Sequence, residues 1–134
     1  MIYKNFYAEL GKLLYAVAKS DGKVAEKERK AMHEKVVKDL VPVENSTDEF
    51  GTDSAYYVEM QFESCQEQSA DPETCFIDFI SYVDDHHSAF DAKLRKATVE
   101  IADAVASAFY NTNSKERDML QRLKHKIQEF EKQQ

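Results

Sequence analysis

The sequence predicts an all-α fold, a single-domain bundle of about six to seven helices over residues 1–134 that uses one helix–turn–helix unit twice. Three observations predict it. Apolar residues recur at three- and four-residue steps along most of the chain, the period of a helix with one buried face. Only 3 Gly and 2 Pro occur in 134 residues, too little turn chemistry for a multi-stranded sheet. Finally, "AVAKSDGKVAEKERKAM" from Ala16 returns without a gap as "AVASAFYNTNSKERDML" from Ala104.

The elements follow in order. Between Ile2 and Ala18 the residues Tyr3, Phe6, Tyr7, Leu10, Leu13, Leu14 and Val17 form one helical stripe. Asp21-Gly22 ends it, because Gly accepts the left-handed conformation common just past a helix end. A second helix is expected from Ala25 to Leu40, with Met32, Val36, Val37, Leu40 and Val41 on one side and Pro42 closing it. The polar tract "ENSTDEFGTD" then reads as the longest loop.

Residues 54–69 fit two periods. Tyr56, Val58, Met60 and Phe62 alternate as in a strand, whereas Ala55, Val58, Phe62 and Cys65 fit a helix. No partner strand is on offer, and a lone strand cannot satisfy its backbone, so helix is expected. Asp71 as N-cap and Pro72 at the first helical position start a helix with Phe76, Ile77, Ile80 and Val83 inward. The next helix is expected from Ser88 to Phe109, carrying Phe90, Leu94, Ala97, Ile101 and Val105. The last begins at Asn113, with Glu116 completing a capping-box pattern, and presents Met119, Leu120, Leu123, Ile127 and Phe130.

Charge is distributed in blocks. Residues 1–41 and 93–134 each carry nine Lys/Arg and six Asp/Glu, whereas 42–92 carry thirteen acids and no Lys or Arg. Phosphate binding needs the opposite sign, so nucleic acid is not an expected partner of the middle block. A basic protein partner for the acidic segment 42–92 suits it, as does a plain solvated acidic face. No apolar run approaches the roughly 18 residues of a membrane span. The first residues lack the layout of a secretory signal, and a cytoplasmic location is the expectation. Cys65 and Cys75, with nine residues between them, form no CxxC pair and read as reduced, buried small hydrophobes.

Two places could hold a metal. With Gly22 set at the sixth position of a calcium loop, Asp21 falls fifth, Val24 eighth and Glu28 twelfth, all matching. The first and third ligand positions become Val17 and Lys19, which supply no oxygen, so this loop needs acids from elsewhere to complete a site. Its alternative role is a tight turn, with Glu28 favoured at a helix N-terminus. The second place is Asp84, Asp85, His86 and His87, followed by Asp91, a mix of imidazole and carboxylate that suits zinc. Adjacent helical residues point about 100° apart, so not all four converge on one ion. The alternative there is a polar helix end whose histidines meet the last carbonyls. His33 and His125 lie among charged residues and read as solvated.

No Ser-His-Asp order, nucleophile elbow, Walker loop or HExxH occurs, and the sequence points to no enzyme. A metal-dependent hydrolase using Asp84, Asp85, His86 or His87 is kept as an alternative.

The motif "LLYAVAKSDGKVAEKE" resembles the TerB-like family, helical domains named for a tellurite-resistance protein: an apolar helix, Ala-x-x-Asp-Gly, a β-branched residue, then Glu opening the next helix. The match covers residues 6–40 and more weakly 90–125. The resemblance implies a cytoplasmic all-α domain of two pseudo-repeated halves, linked to metal-oxyanion or other stress responses. It also implies a divalent-cation site (calcium, magnesium, manganese or zinc) near the turn, with Asp21 and Glu28 in the ligand positions. The second copy has Phe109-Tyr110 where the first has Asp-Gly, and Ala25 stands where a small polar cap is usual. The function expected on this basis is a non-enzymatic scaffold or sensor, with an acidic interaction module as the alternative.

Overall fold

The computed structural model of the protein describes residues 3–19, 30, 34, 52–107 and 114–132. All regular structure among them is helical: α1 (Tyr3–Lys19), α2 (Thr52–Glu67), α3 (Pro72–Asp85), α4 (Ala92–Ser107) and α5 (Ser114–Lys132). Lys30 and Glu34 are also helical, but the helix expected over 25–40 otherwise lies outside the described residues, as does the corner at 20–29. The bundle is therefore observed, whereas the matched pairing of two helix–turn–helix units is not among the described features.

Helix α1 is the axis of the bundle and packs against each of the other four helices described. The single stripe expected of it describes only its first half. Phe6, Tyr7 and Leu10 follow the stripe, but from Leu13 to Ala18 every residue is buried. A helix covered by neighbours all round needs apolar or small residues all round, and "LLYAVA" supplies them.

Helix α2 resolves the ambiguous segment. Val58, Phe62 and Cys65 are buried at helical spacing, while Met60, which only the alternating pattern placed inside, is 47% exposed. Its C-terminus closes with Ser69 at φ 50, the left-handed conformation; Ser69 N–H bonds Gln66 O (3.2 Å) and Ala70 N–H bonds Cys65 O (3.0 Å). That pair of bonds is the Schellman arrangement, here without its usual Gly.

The start of α3 is as the sequence indicates. The Asp71 carboxylate accepts from Thr74 N–H (3.0 Å) and Thr74 Oγ1 (2.9 Å), with Pro72 at the first helical position. Its inner face is rotated from the expected one: Cys75, Phe76, Phe79 and Val83 are buried, Ile80 is half-buried and Ile77 is 51% exposed. Helix α4 starts at Ala92 rather than Ser88, because Asp91 caps it through Leu94 N–H (3.0 Å) after a turn over 86–89. Its predicted stripe is buried, as is that of α5 from Met119 to Phe130.

Where α1, α3, the turn leading into α4 and α5 meet, four rings interlock. Phe6, Phe79 and Phe90 have centroids 5.9–6.3 Å apart, and Phe130 meets Phe90 edge-on at 5.8 Å. Such tilted and edge contacts add to area burial by about 1 kcal/mol each.

Candidate functional site

Asp21, Gly22 and Glu28 lie outside the described residues. The other candidate ligands are placed at the C-terminus of α3. Asp84, Asp85 and His87 are exposed there and His86 is half-buried. A carbonyl only accepts, so each histidine contact has Nδ1–H as donor: His86 to Tyr82 O at 2.8 Å and His87 to Asp84 O at 3.3 Å. The His86 backbone N–H also reaches Tyr82 O and Val83 O, and its ring lies 4.4 Å from that of Tyr82. Both histidines are thus engaged with the carbonyl end of the helix, where imidazole is favoured. Among the described residues no three His, Cys, Asp or Glu gather as a metal-binding group.

A furrow of about 340 Å³ runs along the surface between α3 and α5. Phe76, Ile77 and Ile80 give it an apolar floor; Arg122, His125 and Lys126 rise along the α5 side. Arg122 anchors one end. Its guanidinium forks onto the Glu73 carboxylate at 2.8 and 2.6 Å and stacks over the Phe76 ring at 4.5 Å. The hydrogen bonds from Arg122 hold the Glu73 carboxyl below its ordinary range and, reciprocally, raise the guanidinium. Lys126 pairs with Glu129 at 3.2 Å and sits 5.8 Å above the Phe130 ring. His125 is solvated, 76% exposed, as its charged neighbours suggested.

Both basic side chains on the furrow are therefore matched by carboxylates. The α3 wall is different: residues 71–87 contain Asp71, Glu73, Asp78, Asp84 and Asp85 and no Lys or Arg. Among the described residues folding brings parts of the charge blocks together. Lys12 of α1 reaches Asp78 (3.6 Å) and Glu9 (3.2 Å); burial pulls the Lys12 pKa down, but these two carboxylates hold it above its usual value.

Sequence reasoning missed this furrow because it placed Ile77 on the inner stripe. The available signal was Phe79, which competes with Ile77 for the inward position and wins by size.

Comparison with protein-family models, with curated proteins and with solved structures gives no match in any of the three. The TerB-like resemblance rests on the motif around Asp21-Gly22. No helix among the described residues is long and apolar enough to cross a membrane.

Proposed function

We propose that the protein is a non-enzymatic interaction module that receives a basic, amphipathic partner segment on α3. The observation that carries this reading is Ile77: a large apolar side chain half exposed in a furrow, on a helix whose charges are all acidic. Met60, the other large exposed apolar residue among the described ones, also belongs to the acidic stretch 42–92. Apolar anchors supply affinity when buried in a pocket, and surrounding charge steers the encounter. Arg122 and Lys126 have carboxylate partners, and of the α3 acids Glu73 and Asp78 are taken by Arg122 and Lys12. The field left near the furrow is that of Asp71, Asp84 and Asp85, which have no ion pair among the described residues. This favours Lys/Arg on the incoming segment.

A fluorescent Leu/Lys amphipathic peptide, with its Leu/Glu counterpart as control, tests the proposal by anisotropy. The Leu/Lys peptide should bind, weaken as salt rises, and lose at least about tenfold in affinity with Ile77→Asp, a typical cost for an anchor residue. Equal binding of both peptides, or indifference to Ile77→Asp, would refute it. Both histidines of the 84–87 cluster contact backbone carbonyls, which supports a helix-ending role for them over the hydrolase alternative. A divalent cation at the Asp21-Gly22 turn would be a separate property of the same scaffold, carried by the sequence motif.

A further inference from the structure

Two thiols meet at the corner between α2 and α3. Cys65 lies in the last turn of α2 and Cys75 near the start of α3; their Sγ atoms are 4.0 Å apart, both free and both 4% exposed. Two sulfurs are half of a structural zinc set, and no third metal ligand gathers with them among the described residues. They are, however, the complete set for a disulfide, whose bond of about 2.05 Å needs a movement of roughly 1 Å from each sulfur. We propose that Cys65 and Cys75 are a redox modification site, forming a reversible intramolecular disulfide with a low-molecular-weight disulfide as oxidant.

The surroundings assign the order of events. The Cys65 sulfur accepts hydrogen bonds from Gln61 Nε2 (3.7 Å) and from the Cys75 thiol (4.0 Å), so the Cys75 proton points at Cys65. Burial, then the neighbouring Cys65, pushes the Cys75 thiol up to about 12, so it stays protonated while Cys65 reacts. The Cys65 thiolate attacks one sulfur of the oxidant, forming a mixed disulfide and releasing one small thiol. The Cys75 thiol then gives up its proton and attacks Cys65 Sγ, expelling the second small thiol. The chain loses two electrons, and its two thiol protons end on the two released thiols.

Access is the controlling step, because both sulfurs are covered. The corner is held by Ala70: its N–H bonds Cys65 O (3.0 Å) and its carbonyl accepts from the buried Tyr15 O–H of α1 (2.9 Å). Cutting the Tyr15 tether should open the corner more often without touching either sulfur.

The experiment exposes the protein to excess oxidised glutathione and follows thiol count and intact mass. In wild type both thiols should disappear together, the mass should fall by two hydrogens, and the rate should be independent of protein concentration. Tyr15→Phe should oxidise about three- to tenfold faster, the factor that loss of one hydrogen bond gives. Cys65→Ser should acquire glutathione on Cys75 far more slowly than wild type reacts. A stable one-glutathione adduct of wild type, a disulfide-linked dimer, or persistence of both thiols would overturn the site. Equal rates for wild type and Cys65→Ser would overturn the order. The wild-type masses decide the matter even if Tyr15→Phe fails to fold.

Discussion

Gly11 sits in the middle of α1, where Ala would be the better helix former. A Cβ placed there would stand 2.5 Å from Val58 O, 2.9 Å from Gln61 Cβ and 3.3 Å from Phe62 N of α2. Two of these three atoms are backbone, so no side-chain rotation relieves the clash and the helices themselves must part. Overpacking of this kind costs typically about 1–3 kcal/mol, and a rigid backbone neighbour places Gly11→Ala at the upper end. The gain in helix propensity offsets at most about 1 kcal/mol. The net expectation is a loss of about 2 kcal/mol. Unfolding entropy near 2.1 cal/mol/K per residue over 134 residues gives about 0.28 kcal/mol/K, hence a midpoint lower by about 7 °C. Thermal melting followed by circular dichroism at 222 nm (a wavelength that reports helix) measures this directly. A midpoint equal to or above that of wild type would refute the close crossing of α1 and α2.

Two further substitutions probe local devices. Ser69→Gly should raise stability by about 0.5–1 kcal/mol, because Gly takes the left-handed conformation without the penalty of a side chain; a lower urea midpoint would contradict the Schellman geometry. Glu73→Gln should cost no more than about 1 kcal/mol, since the pair with Arg122 is solvent-exposed. The Glu73 pKa is depressed in the fold, so its contribution is present above the ordinary 4.5 and lost as pH falls through the lowered value. The difference in midpoint between wild type and Glu73→Gln should therefore be constant near neutrality and vanish in acid. A difference that grows on acidification would refute the assignment.

The sequence by itself determined the class and most of the buried faces. Helical spacing is a local property, and it correctly marked Leu94, Ile101 and Val105 of α4 and Leu123, Ile127 and Phe130 of α5 as buried. Asp71-Pro72 was legible for the same reason, since a cap and its first turn involve neighbours in the chain. Of the candidate ligands, the sequence could name Asp84, Asp85, His86 and His87 but not aim them. Whether imidazoles meet an ion or a carbonyl depends on the turn that α3 ends in.

Everything that depends on what lies beside a helix was decided by the tertiary structure. Periodicity gives the angle between residues of one helix, but not which of two apolar residues two positions apart a neighbouring helix will cover. Phe79 therefore took the interior and Ile77 was left on the surface. The same limit hid the role of Gly11, whose missing side chain matters only because α2 crosses there. It also hid the meeting of Cys65 with Cys75: ten positions apart in sequence say nothing of distance until a tight corner folds one helix back beside the next.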